Sequence, residues 1–189
     1  MDPSRPTPVR APRDPGGASL VELLIVVSIL AIVAATLIPR STAVHEHRKL
    51  EVSAQQVVFA LRFARSEAMR MGDYYGVRLS SADNSIRVYY LNTAGPPIEL
   101  FTVYHPLDKN AYIRVLDDRP FSAGVEISLS EFRFAGDPQP RESVAFAPTG
   151  DPVGPLNLGL MTQGDVKLSY GGRSVAISVA PATGRVTLP

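Results

Sequence analysis

Residues 18–38 read ASLVELLIVVSILAIVAATLI, and no charged side chain occurs from Leu23 to Ile38. Twenty-one residues in a helix rise roughly 31 Å, about the hydrocarbon thickness of a bilayer. A helix that is apolar on every face belongs in lipid or in the centre of a bundle, not in water. The stretch therefore predicts a membrane-spanning helix, and Pro39 ends or kinks the run. Its one acid, Glu22, sits near the start.

Residues 40–71 keep a helical period but become one-sided. Ala54, Val57, Val58, Leu61, Ala64, Ala68 and Met71 recur at intervals of three and four. Arg62, Arg65, Glu67 and Arg70 fall between them and are expected to face water. Gly72 stands where a helix stop belongs. This half is amphipathic and needs something to pack on.

From residue 73 the period shortens to two. Alternating or β-branched runs appear at 75–80, 86–91, 98–104, 111–116, 125–129, 143–147, 156–161, 166–170, 174–180 and 185–188. Asp83-Asn84, Gly95-Pro96-Pro97, Gly171-Gly172 and Thr183-Gly184 punctuate them. Gly171-Gly172 between two alternating runs is a strong hairpin signal. The expected fold is α+β: a long N-terminal helix, half membrane-spanning and half amphipathic, packed on a mainly antiparallel sheet domain. The expected boundaries are 1–17, 18–39, 40–72 and 73–189.

Residues 1–17 hold Pro3, Pro6, Pro8, Pro12, Pro15, Gly16 and Gly17 and cannot bury a core. Three readings compete for this start. A secretory signal has a basic start, a short apolar stretch and a small-residue cleavage site, which Ala34-Ala35 could offer. A plain membrane anchor is the simplest reading. Arginine asymmetry does not orient it, because Arg5, Arg10 and Arg13 precede the span while Arg40, Arg48 and Lys49 follow closely. The third reading begins from Glu22. A carboxylate inside a membrane helix is expensive and usually has a partner charge. Near the end of the run it can also snorkel to the interface. A positive group would stand close by if the chain were cut after Gly17, freeing a new amine.

Composition excludes several classes. With no Cys and no Trp, disulfide scaffolds, thiolate metal sites and cysteine nucleophiles drop out. Net charge is +1, and residues 73–189 carry ten Lys/Arg against twelve Asp/Glu. Lys167, Arg173 and Arg185 near the end are too sparse for a nucleic-acid footprint, so nucleic acid is not expected as a partner. His45 and His47 lie two apart, about 200° around a helix, and cannot hold one metal from one face. His105 precedes a proline in a turn. Asp117-Asp118 and Asp83-Asn84 have the chemistry of turns and lack calcium-loop spacing. No nucleophile elbow or phosphate loop occurs. The sequence carries no catalytic constellation, and no metal or cofactor is expected.

Gly17-Ala18-Ser19-Leu20-Val21-Glu22-Leu23-Leu24 resembles the class III signal of type IV pilins and type II secretion pseudopilins. The resemblance implies a prepilin peptidase that cuts between Gly17 and Ala18 and methylates the amine of Ala18. Glu22 then becomes the fifth mature residue, the family's assembly and register position. Pro39 matches a helix-kinking proline common in the family. Ala18 departs from the usual phenylalanine or methionine. Further on, LRFARSEAMRMGDYYGVRLS (61–80) is similar to the helix-to-strand stretch of GspH/FimT-like minor pseudopilins, with Ala64, Arg65, Glu67 and Ala68 forming its core motif. FAPTG (146–150) and ATGRVTL (182–188) are similar too, whereas residues 81–140 add nothing specific.

This resemblance implies a non-enzymatic minor pseudopilin of the type II secretion pseudopilus. It would be a single-pass protein of the bacterial inner membrane with a periplasmic domain, joining a filament after processing. The implied partners are the prepilin peptidase, other pilin or pseudopilin subunits, the inner-membrane assembly platform and membrane lipid. A minor pilin of a type IV pilus is the alternative. A membrane-anchored binding module that never polymerises is a further one, and an anchored enzyme the last.

Overall fold

A computed structural model of the chain describes residues 19–117 and 122–188, with side chains described at all of these except 35–45. The chain divides between Thr42 and Ala43 into two compact units. One helix, α1 (Leu20–Met71), enters both.

In the first unit, the described side chains from Ser19 to Ala34 are all exposed. Among the described residues no helix is long and apolar enough to cross a membrane. The apolar run read from the sequence extends to Ile38, and its last four side chains fall in the undescribed stretch. The helix is uninterrupted at Pro39, so it is the apolar run and not the helix that ends there.

In the second unit, α1 buries one stripe: Leu50, Ala54, Val57, Leu61, Ala64 and Ala68 are 0–1% exposed, with Ser53 and Ala60 beside them. The spacing by three and four is the cause, and the small residues let the backbone approach what it covers. Met71, expected on this stripe, is exposed, because the helix ends there. Gly72 follows with φ +70°, and the N–H groups of Gly72 and Asp73 both donate to the Ala68 carbonyl at 3.0 and 3.3 Å. This left-handed stop satisfies a carbonyl the helix would otherwise orphan.

Two antiparallel sheets follow. The first is built from β1 (Tyr75–Ser80), β2 (Ser85–Asn92), β3 (Ile98–Leu100), β4 (Ile113–Val115), β7 (Ser143–Phe146) and β8 (Pro152–Val153). Its order is β3-β2-β1-β7-β8, with β4 also paired to β2. The second holds β5 (Glu126–Phe134), β6 (Asp137–Arg141), β9 (Met161–Tyr170), β10 (Arg173–Val179) and β11 (Val186–Thr187), in the order β11-β10-β9-β5-β6. The β9–β10 turn is Gly171-Gly172, both at positive φ, as a tight hairpin of this twist requires.

One core joins the helix stripe to both sheets. Val77 and Leu79 of β1, Val144 and Phe146 of β7, Phe132 of β5, Leu168 of β9 and Ile177 of β10 all belong to it. A smaller cluster on the first sheet's other side unites Tyr89, Leu91, Ala145 and Val153. The outermost strands are short or proline-bearing: β3 and β4 have three residues each, β8 and β11 two, and β6 contains Pro138 and Pro140.

Three sequence readings change. The run 156–161 is mainly turn, with only a bridge from Leu160 to Val153 before β9 begins at Met161. The run 98–104 contracts to the three residues of β3. Asp137–Arg141, unread as a strand because of its prolines, pairs with β5 at the sheet edge, where a missing N–H is harmless.

Candidate functional site

Ser19 immediately precedes α1, and its carbonyl accepts the Leu23 N–H at 3.1 Å. It therefore occupies the cap position, with Glu22 three residues on, the spacing of a capping box. Glu22 lies in the first turn of α1 and is exposed. There its negative charge meets the positive end of the helix dipole, a favourable placement for an acid. Leu20, Val21, Leu23 and Leu24 around it are 60–81% exposed. The carboxylate thus stands in an apolar collar that no described residue covers. Gly17 and Ala18, the expected cleavage and methylation positions, lie outside the described residues, as does the side chain of Pro39.

A second site forms in the sheet-bearing unit, where three separated stretches of sequence meet. Ala64 and Ala68 are wholly buried and bring α1 close to the sheets. Arg65, one residue from that stripe, is half-buried, not fully in water as expected. Its Nε–H donates to the Gly150 carbonyl at 3.0 Å, across 85 residues of chain. Gly150 adopts φ +87° and Gly184 φ +61°. A Cβ on Gly184 would stand 2.8 Å from the Gly150 oxygen, 3.1 Å from Phe146 and 3.2 Å from Arg65 Nε. The helix motif, the FAPTG stretch and the ATGRVTL stretch therefore share one node. Sequence reading picked out all three stretches and missed that they touch. The only signal available was that two of them carry a glycine just after a threonine, in a turn.

Glu67 is also drawn in, with its side chain only 18% exposed, and pairs with Arg70 one turn on. The Glu67 carboxylate, through this hydrogen bond and its charge, holds the Arg70 guanidinium above its ordinary value. Arg62 points an Nη donor at the Val186 carbonyl of β11, 3.3 Å away. Lower on the helix, Lys49 Nζ donates to the Ala123 carbonyl at 3.1 Å and the Tyr170 hydroxyl at 3.2 Å, and lies over the Tyr170 ring. Lys49 and Arg62 thus tie the second-unit part of α1 to the second sheet, and Arg65 ties it to the β7–β8 turn of the first.

Among the described residues no group of three His, Asp or Glu could hold a metal ion. His105 packs edge-on against Tyr112 and lies 3.4 Å from Asp108. The Asp108 carboxyl sits below the usual carboxylate range, chiefly through the hydrogen bond from Arg114. Glu99 of β3 pairs with Arg78 at 2.8 Å and accepts the Ser143 hydroxyl at 2.8 Å, which is a structural tie between three strands.

These features define an α+β protein with a long N-terminal helix whose first turn carries an acid in an apolar collar that is exposed among the described residues. The model of the family described as type II transport protein GspH matches residues 53–183. The chain belongs to that family. The prokaryotic N-terminal methylation motif matches residues 13–38. No curated protein sequence matches the chain. Among solved structures, the minor pseudopilin EpsH from the type 2 secretion system of Vibrio cholerae is similar, at 16% identity and a TM-score of 0.48, over 75% of this chain and 96% of that one. The type IV minor pilin FimU of Pseudomonas aeruginosa is similar too, at 17% identity and a TM-score of 0.46, over 76% and 90%.

Proposed function

We propose that this chain is a minor subunit of a type II secretion pseudopilus, processed by a prepilin peptidase and assembled through its N-terminal helix. The observation that carries the reading is the union in one chain of a methylation motif at 13–38 and a GspH domain at 53–183. In this reading residues 18–39 hold the subunit in the inner membrane, and the sheet-bearing unit stands in the periplasm. Cutting after Gly17 frees the Ala18 amine, which the peptidase methylates.

Extraction then moves the apolar helix from lipid into a bundle of similar helices, so its surface stays out of water throughout. Glu22, unfavourable if left alone there, pairs with the amine of a neighbouring subunit and fixes register. Pro39 allows the helix to bend where the apolar half gives way to the amphipathic half. In this reading the protein performs no chemistry itself, and the work of assembly comes from a separate ATPase.

The test is mass spectrometry of the N-terminal peptide from cells, joined to a secretion assay in a strain lacking the gene. The expected start is a methylated Ala18, with secretion lost and restored by the gene. A start near residue 36, or an uncut chain, overturns the processed-subunit reading. Intact secretion with lost pilus-dependent motility transfers the subunit to a type IV pilus.

A further inference from the structure

Arg62, Arg65 and Arg185 line one concavity of about 460 Å³ between α1 and β11, together with Ser66, Met69 and Thr187. Three guanidinium groups in one hollow repel one another, and an arrangement of this kind ordinarily holds an anion. Arg62 and Arg65 each spend one N–H on a backbone carbonyl, of Val186 and Gly150 respectively, and keep their remaining donors. Among the described residues none of the three arginines forms an ion pair, although Arg70, Arg78, Arg87, Arg114, Arg133, Arg141 and Arg173 all do. The hollow is also kept open by backbone choice. A Cβ on Gly184 would come within 3.2 Å of Arg65 Nε, and one on Gly150 within 2.9 Å of Met69 Sδ and 3.2 Å of Arg65 Nε. Both positions have positive φ, and Gly184 lines the hollow, so there glycine serves the turn and the cavity together.

We infer that this hollow is a receptor for a carboxylate presented by a neighbouring protein subunit. Planar guanidinium forks match a carboxylate in a bidentate fashion. The thioether of Met69 offers an apolar wall to the aliphatic stem of an acidic side chain. A nucleic-acid backbone needs cations strung along its length, whereas these three are gathered in one concavity within a unit whose fifteen Lys/Arg are matched by fifteen Asp/Glu. Binding of the carboxylate does not depend on the secretion reading; the identity of the neighbour as a filament subunit rests on it.

The test uses the full-length chain in detergent, titrated with acetyl-triglutamate amide and with acetyl-triglutamine amide. Calorimetry and the Nε–H resonances of arginine are the readouts. The glutamate peptide is expected to bind and to move the Arg65 Nε–H resonance, with the effect abolished at about 0.5 M salt. The glutamine peptide should do neither. The variant R185Q leaves Arg62 and Arg65 with their Val186 and Gly150 bonds in place, so the melting temperature should hold while affinity falls by about tenfold or more.

No binding, equal binding by the variant, or tighter binding of duplex DNA than of the glutamate peptide overturns the assignment. In cells, R62E/R185E protein should be processed normally yet be depleted from sheared filaments. Normal incorporation alongside peptide binding removes the filament neighbour as the source. Absence of the wild-type chain from all filaments instead overturns the pseudopilus reading and leaves the receptor judged by the titration.

Discussion

Gly76 of β1 faces Tyr89 of β2 so closely that a Cβ at residue 76 would lie 2.3 Å from Tyr89 Cζ and 2.5 Å from the Val144 carbonyl oxygen. The tyrosine ring lies over the glycine and is fully buried, and burial pushes its phenol well above the ordinary value. A side chain of any size must displace either the ring or strand β7. Gly76→Ala is therefore expected to destabilise the protein by about 1–3 kcal/mol through overpacking. Thermal melting followed by circular dichroism measures it. In a Tyr89→Leu background the same substitution should be milder, since the clashing ring carbon is gone and neighbouring sites couple. Equal losses in both backgrounds would refute the contact as the cause.

Arg65 anchors α1 to the turn at Gly150. Arg65→Met keeps the stem but removes the Nε–H, leaving the Gly150 carbonyl without this donor. A loss of about 1–3 kcal/mol is expected, with faster hydrogen exchange around residues 147–151. Gly150→Ala should be at least as harmful, because φ +87° disfavours any Cβ. Unchanged melting in Arg65→Met would mean that the half-buried guanidinium is only surface decoration.

This anchor also marks the limit of what was legible beforehand. Period and punctuation declared the helix, its stop at Gly72, the hairpin at Gly171-Gly172 and the change to strands after residue 73. Each rests on local backbone chemistry. The burial of Arg65 was not legible, because it sits beside the apolar stripe and is drawn inward by Gly150, 85 residues along the chain. The β6 strand was hidden by Pro138 and Pro140, which speak against a central strand but are tolerated at an edge. Leu156–Leu160 has strand-like composition, yet a turn that includes Leu158 at φ +55° takes most of it. The Glu22 placement was readable in full as sequence, while the site at Gly150 and Gly184 was readable only as fragments.

Asp137 and Arg141 pair along β6 through two hydrogen bonds, of 2.7 and 3.1 Å. The arginine holds the Asp137 carboxyl below its ordinary value, with the Gln139 N–H adding to the effect. The sign follows from linkage: the folded state binds this proton less readily than the unfolded chain. The contribution is complete above the ordinary aspartate value of about 4 and disappears as pH falls through the lowered one. Carbon-detected NMR titration should place the Asp137 midpoint below that of an unpaired aspartate. Asp137→Asn should flatten the acid limb of the stability profile. A midpoint at or above the ordinary value would contradict the pairing.

Glu22→Ala removes a charge from an otherwise apolar helix, so membrane insertion should persist or improve. Processing after Gly17 should persist too. If Glu22 pairs as proposed, filament recovery and secretion should nevertheless fall sharply, since the neighbour's amine would be left unpaired in an apolar bundle. Glu22→Gln, which keeps a capping acceptor but not the charge, separates the two roles of this residue: it should rescue helix initiation and not assembly. Full secretion by Glu22→Gln would assign Glu22 to capping alone.

The margins of the two sheets bear on a hazard that any secreted-pathway subunit meets. In the proposed reading copies wait side by side in a membrane, where a long bare strand on one would template its neighbour into cross-β aggregate. Here β3, β4, β8 and β11 are two or three residues long, and β6 interrupts its donors with Pro138 and Pro140. Backbone groups at these rims offer no continuous ladder for an incoming chain. The folded unit is thus inert towards its own kind through its strands, and a reservoir of copies can wait without coagulating until another part of the molecule is engaged.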